Sequence, residues 1–152
     1  MASSGTKTNY LAHALLDHSM GDGSFTAPTN VYLALDTTVP TVADTGATIS
    51  EPNGTWTNYA RIQLTAANFE AAGGTTVRQK IYNAVVDFGT ATCSASTNIN
   101  GWAIVDNGTI GAGNALWVGQ FSPLITVQDG NPVSVPSGQL ILEESATFGT
   151  PS

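Results

Sequence analysis

The stretch INGWAIVDNGTIGAGNALWVGQF, residues 99–121, carries the clearest structural signal in the chain. Apolar side chains alternate with smaller or polar ones on both sides of a central Asn107-Gly108 step. This period of two is typical of β-strands, and Asn-Gly favours a tight turn because it tolerates positive φ. The stretch therefore predicts two neighbouring strands, over 99–106 and 115–121, joined by a glycine-rich loop.

The same alternation continues outward from this pair. Turn residues separate the alternating segments, and no regular succession of helices and strands occurs, which disfavours a parallel α/β fold. The further strand candidates are residues 31–36, 59–65, 80–88, 124–128, 133–135 and 139–144. With seven to nine strands, the sequence predicts a mainly β, single-domain antiparallel β-sandwich or barrel, jelly-roll-like, with one short N-terminal helix.

The helix is predicted over residues 8–20, TNYLAHALLDHSM. Its apolar residues recur at spacings of three and four, which gives one apolar stripe on a helix surface. Thr8 or Asn9 can cap the start of the helix, and Gly21 can close its end. The stripe consists of Tyr10, Leu11, Ala14, Leu15 and His18.

The domain organisation follows from these elements. We predict a flexible N-terminal arm over residues 1–7, where the side chains are small and polar, and a C-terminal tail over 147–152. A single β-rich domain would occupy 8–146. Within it, residues 37–58 form a long loop rich in Thr, Pro, Gly and Asn, and loops of this length are often functional or contact other chains.

Charge and hydropathy together disfavour nucleic-acid partners, membrane insertion and secretion. Only 10% of the residues are charged, and eleven acidic residues face four basic ones, which gives a net charge of −7. Such a chain repels phosphate backbones, so we expect no nucleic-acid partner. No apolar run is long enough to span a membrane, and no signal peptide is recognisable, so we expect neither membrane insertion nor secretion.

Residues that could support catalysis are few and scattered. Cys93 is the single cysteine, and the sequence places no histidine beside it. His13 and His18 would lie about 140° apart on the helix and could not bind one metal ion together. Asp87 and Asp106 each end a strand, where turn formation is the usual role, although a hydrolytic pair is an alternative. We therefore expect no enzymatic activity, no cofactor and no metal.

Several motifs in this order resemble a widespread family of small bacteriophage virion proteins, commonly labelled phage tail-fibre proteins. The helix NYLAHALLDHSMG has the form NYLxxxLLDHxxG, the strand YLALDTTVPT has the form YLALxTxxPT, and Tyr59-Ala60-Arg61 gives the YAR segment. The aromatic strand pair and the terminal strand after an Asp-Gly turn complete the pattern. One departure is Thr57-Asn58, where glycines are usual in the family.

The resemblance implies a virion structural protein made in the cytoplasm of the host bacterium. A fibre shaft needs stacked repeats, and the chain has none, so our first hypothesis is a capsid-surface decoration (cement) protein that stabilises the particle. The alternative is a tail or tail-fibre structural protein with a receptor- or glycan-binding role. Expected partners are the major capsid protein or tail proteins, together with further copies of the chain, for which a trimer is a natural arrangement.

Five residues are predicted to form contacts between subunits. The helix residues among them either dock onto a neighbour or cap one end of the barrel. Trp56 lies in the polar loop, where a large aromatic ring is a candidate for an intersubunit contact or a sugar-stacking surface. The five residues are Tyr10, Leu11, Leu15, Trp56 and Arg61.

Overall fold

The computed structural model describes residues 2–74 and 77–145, which form one domain of nine strands and one α-helix. The predicted tail over 147–152 lies outside the described residues. The elements are β1 (Ala2–Lys7), α1 (Asn9–Met20), β2 (Val31–Asp36), β3 (Ile62–Leu64), β4 (Val77–Tyr82), β5 (Val86–Thr90), β6 (Thr97–Val105), β7 (Ala115–Val127), β8 (Pro132–Val135) and β9 (Leu140–Ser145). In the described ranges no helix is long and apolar enough to cross a lipid bilayer.

Seven strands form one curled sheet, a half-barrel, in the order β3-β2-β6-β7-β1-β9-β4. Strands β5 and β8 form a separate two-stranded sheet. Among the described strands the pairings are antiparallel, except that β1 and β9 run parallel. The prediction of a mainly β, single-domain fold with one N-terminal helix is therefore confirmed.

Several strand boundaries differ from the sequence prediction, and the strand predicted over 59–65 is confined to Ile62–Leu64. Residues 80–88 do not form one strand, because the chain leaves the large sheet after β4 and enters the small sheet at β5. Asn83 lies at this bend, and its backbone N–H donates to Asn68 O at 2.8 Å. Conversely, the two strands predicted between 115 and 128 form one long strand, β7, whose register with β6 shifts between Ile99 and Gly101.

The prediction of a flexible arm is wrong for residues 2–7. They form β1, an interior strand of the large sheet between β7 and β9, in register with β7 from Ala2 opposite Ser122 to Lys7 opposite Trp117. Glycine is required at position 5 because the indole of Trp102 packs over the strand there. A Cβ atom added at Gly5 would lie 2.3 Å from Trp102 Cη2, far inside normal contact distance.

The core lies on the concave face of the large sheet. Alternate residues of β2, β6 and β7 point into it, and the small sheet covers it with apolar side chains from β5 and β8. A smaller apolar cluster lies on the convex face, where Ile49 of the loop after β2 covers Ala34, Ala103 and Val105. The concave cluster includes Leu33, Leu35, Trp56, Tyr59, Val86, Phe88, Trp102, Ile104, Phe121, Val135 and Leu140.

Candidate interaction surface

Helix α1 begins and ends where the sequence predicts. Thr8 is its N-cap, and the Thr8 hydroxyl accepts from Leu11 N–H at 3.3 Å while donating to Ala115 O at 2.6 Å. Gly21 adopts the left-handed conformation, φ 75°, and its N–H reaches the carbonyl of His18. The Thr8 hydroxyl therefore fixes the first turn of the helix to the start of β7.

Beyond that first turn α1 packs weakly on the domain. Leu11 is its only buried residue, whereas Leu16 is 63% and Met20 79% exposed. Ala12, Leu16 and Met20 follow one another at four-residue spacing, so they share one side of the helix, which we call the helix face. A helix of 12 residues is marginal in water without packing of an apolar side. The helix face is therefore suited to contact with another protein.

An open groove adjoins the start of this helix. Asn9 N–H donates to Val42 O at 2.8 Å, which ties the helix to the loop after β2. In that loop Val39 is 50% and Val42 40% exposed. Together with Pro40 they border a groove of about 520 Å³ whose floor is formed by β1 and β7. Exposed apolar side chains thus occur on two neighbouring segments.

The three helix residues that were predicted to contact other subunits differ in their exposure to solvent. Leu11 is buried, Leu15 is half-buried, and Tyr10 is 43% exposed. Contact of these residues with a neighbouring subunit stays a prediction. Sequence reasoning missed Leu16 and Met20, because it followed the stripe with the most apolar members and ignored apolar residues outside it.

The surface position predicted for Trp56 is wrong. Its side chain is fully buried, and its ring centroid lies 5.3 Å from that of Tyr59 and 5.9 Å from that of Phe88. The indole N–H donates to Asn58 Oδ1 at 2.7 Å, which satisfies its one polar group. Trp56 therefore anchors the polar loop to the core and offers no ring for sugar stacking.

Arg61 is also enclosed, within a polar network under the loops. Its Nε and Nη2 donate to the two carboxylate oxygens of Glu51 at 2.9 and 2.8 Å, and both side chains are almost completely buried. Its remaining hydrogen bonds go to backbone carbonyls. These acceptors are Gly46 O at 2.6 Å and Asn107 O and Ala112 O at 2.8 Å.

This network includes a tyrosine. Tyr59 Oη donates to Glu51 Oε1 at 2.9 Å and accepts from Leu35 N–H at 2.9 Å. Desolvation and the neighbouring Glu51 carboxylate raise the pKa of Tyr59 far above its ordinary value, so the phenol stays protonated. The network joins β2, the segment just before β3 and the loop between β6 and β7. With its guanidinium enclosed, Arg61 acts as an internal cross-link between them.

The residues considered for catalysis have local structural partners. Asp87 Oδ1 accepts from Gly89 N–H at 2.7 Å, and Asp106 accepts from both the backbone and the side chain of Asn114. Partial desolvation and the Asp129 carboxylate raise the pKa of the Cys93 thiol, which disfavours the reactive thiolate. No group of three or more potential metal ligands occurs within residues 2–74 and 77–145.

Asp36 makes the stability of the domain depend on pH. It is 1% exposed, and Oδ1 accepts from Thr38 N–H and Oγ1 at 2.8 Å, while Oδ2 finds no hydrogen-bond donor in the described part of the chain. Desolvation by burial raises its pKa above the ordinary value of 3.8. Its contribution to stability is therefore complete below that ordinary value and is lost as the pH rises through the folded-state pKa.

Replacing Asp36 by Asn is expected to remove the loss of stability that accompanies ionisation of this carboxyl as the pH rises. Relative to the unchanged protein, the variant should gain stability as the pH rises from acid to neutral, as measured by urea unfolding at several pH values. Asp44→Asn is the matched control, because hydrogen bonds from Thr41 and Thr48 outweigh desolvation and lower the pKa of Asp44. It should show the opposite trend, and parallel trends in the two variants would contradict the assignment.

A comparison with protein families gives one more finding. A family model described as podophage GP4 fiber I protein gp80 matches residues 6–143, from the end of β1 into β9. No match is found among curated proteins. The matched range includes the helix face, the loop after β2 and the buried Arg61 network.

Proposed function

Since the chain belongs to the family described as podophage GP4 fiber I protein gp80, we propose that it is a non-enzymatic structural component of a bacteriophage tail fibre. Family membership makes it a phage virion protein that associates with other phage structural proteins. The family description names a fibre protein, so it supports this function better than decoration of the capsid. Because the chain has no stacked repeats, it suits an attachment or tip module better than a shaft.

The observation that favours assembly of several copies is the unpacked side of α1. Leu16 and Met20 expose apolar area on a helix that buries only Leu11. Ala12, Leu16 and Met20 are uncharged, so a contact centred on them removes apolar side chains from water without burying a charged group among them. We assign this face to contact between copies, with a cyclic trimer as the expected assembly.

The position on the particle is tested by immunogold labelling of intact phage. Gold particles confined to the fibres are the expected result. Gold distributed over the capsid would overturn the fibre assignment and favour the decoration hypothesis. Particles without gold, from a lysate in which the protein is detectable, would contradict both positions.

The assembly contact is tested by Leu16→Glu combined with Met20→Glu. We expect the unchanged protein to be oligomeric and the double variant monomeric in light scattering after size-exclusion chromatography, because two carboxylates on the helix face repel each other and resist desolvation. The far-UV circular dichroism spectrum should change little, since both side chains are largely exposed within one subunit.

The matched control places the same charges elsewhere. Val85 and Leu124 are 58% and 42% exposed and lie outside α1, so Val85→Glu with Leu124→Glu should leave the oligomer intact. A monomeric unchanged protein would contradict the proposed assembly. An oligomer that persists in the helix variant would show that the contact lies elsewhere.

A further inference from the structure

Three of the four basic side chains of this acidic chain lie close together on one part of the large sheet. Of four basic residues, Arg61 is enclosed in its ion pair with Glu51. The other three, Lys7, Arg78 and Lys80, come from β1 and β4, which lie on either side of β9 in the sheet. A chain with eleven acidic residues thus presents all of its remaining basic side chains in one region.

The register of the strands explains how these residues meet. Arg78 lies opposite Glu144 and Lys80 opposite Leu142 in the β4–β9 pair, and Lys7 forms an ion pair with Glu144. On the other side of β1, Lys7 lies opposite Trp117 of β7. The order across the concave face is therefore Trp117, Lys7, Glu144 and Arg78, an aromatic ring followed by alternating charges.

A cavity of about 180 Å³ opens beside Trp117, Glu144 and Arg78, and we call it the cationic cleft. The half-buried indole of Trp117 lines it, and Leu142 is almost completely buried beneath it. Because these side chains stand on paired strands, the cleft is preorganised. Its lining residues are Ala72, Arg78, Gln79, Lys80, Trp117, Leu142 and Glu144.

Contacts within the domain do not account for all of this charge. Lys7 has Glu144 as its partner, and Lys80 Nζ donates to Glu70 O at 2.7 Å and lies 5.8 Å from the ring centre of Phe69. The exposed guanidinium of Arg78 makes no hydrogen bond or ion pair with residues 2–74 and 77–145. Of the charged lining residues, Arg78 and Lys80 are cationic, and Glu144, which also pairs with Lys7, is the one acid, which leaves an excess of positive charge.

We propose that the cationic cleft binds a sugar ring that carries a carboxylate or a phosphate. This is a ligand-binding function beyond the structural role proposed above. The indole of Trp117 packs against the apolar side of the ring, the guanidinium of Arg78 binds the anion through paired hydrogen bonds, and Glu144 accepts from ring hydroxyls. A concave site with an apolar base and a few convergent polar groups is typical of small-ligand binding.

The size of the cleft and the net charge of the protein favour a single anionic sugar over a long polyanion. A cavity of about 180 Å³ admits a small ring. A longer chain of phosphates would extend over the acidic remainder of the surface, where the net charge of −7 opposes it. The negative surroundings also restrict the attraction to the immediate neighbourhood of the cleft.

Tryptophan side-chain resonances in an NMR titration provide the test. Glucuronate and a glucose monophosphate are the two anionic probes, and glucose is the neutral control. Trp56 and Trp102 are fully buried, so only the indole N–H signal of Trp117 should shift. A response to one anionic probe alone identifies carboxylate or phosphate as the anion that the cleft prefers.

Arg78→Gln should weaken binding of the anionic probe about tenfold or more, because one charge-assisted contact is lost. Glu143→Gln is the control, since Glu143 borders the groove near Val39 instead of the cationic cleft, and it should leave the affinity unchanged. Unchanged melting temperatures would establish that both variants are folded.

Two outcomes would overturn the proposal. One is that neither anionic probe shifts the Trp117 signal at millimolar concentration, and the other is that glucose shifts it equally. Because the titration uses the isolated protein, failure here leaves the fibre assignment intact. Conversely, a negative result from particle labelling leaves the binding measurement unaffected.

Discussion

Replacement of Arg61 by Met is expected to lower the free energy of unfolding by about 3–5 kcal/mol, the range found when one partner of a buried ion pair is removed. The Glu51 side chain is 2% exposed and would lose the cation that compensates its charge. The carbonyls of Gly46, Asn107 and Ala112 would lose their donor at the same time. Urea unfolding followed by circular dichroism measures the loss.

Two further variants identify the origin of this loss. Arg78→Met removes an exposed arginine and should cost less than about 0.5 kcal/mol, as surface substitutions usually do. Combining Arg61→Met with Glu51→Gln should recover part of the stability, because the uncompensated carboxylate is then absent. A change below about 1 kcal/mol in the Arg61→Met variant would contradict a structural role for the ion pair.

Gly119→Ala is expected to cost about 3 kcal/mol, at the upper end for an added methyl group in a packed core. The new Cβ would lie 2.4 Å from Trp102 Cε2 and 2.6 Å from Ser4 O. Neither neighbour can yield easily, since one belongs to a rigid buried ring and the other to the backbone of β1. Thermal unfolding should show a lower melting temperature with cooperativity retained.

The clash with the indole is tested in a double-mutant cycle. In a Trp102→Leu background the same Gly119→Ala change should cost clearly less, because the ring atoms that it meets are gone. Gly54→Ala is the matched control, since a Cβ at Gly54 meets no atom within 4 Å. Equal costs of Gly119→Ala in both backgrounds would mean that Trp102 does not restrict this position.

Local sequence patterns predicted those helices and strands that are marked by alternating apolar residues or by capping residues. Strand β2 alternates in VYLALD, and α1 has both a Thr8 cap and a Gly21 end, so both appear where expected. Strand β1 has no such signal, because its glycine at position 5 is explained only by Trp102, which is distant in sequence. Trp56 was misassigned for a similar reason, since its burial depends on contact with Phe88 in another sheet.

The candidate sites were less predictable than the strands. The helix residues Tyr10, Leu11 and Leu15 directed attention to α1, but the exposed apolar side contains Leu16 and Met20 instead. For the cationic cleft, the proximity of Arg78 and Lys80 in sequence was visible. The contributions of Lys7 and Trp117 depend on strand order, which no local pattern of this chain encodes.

The interior position of β1 affects how the protein is made. Ala2 pairs with Ser122, and Gly5 pairs with Leu142, so this strand leaves the ribosome long before either of its partners. At about 5–20 residues per second, synthesis of the intervening chain takes several seconds or more. The sheet therefore cannot close before β7 and β9 have been synthesised, and a β1 of low apolar content suits a strand that waits unpaired during this interval.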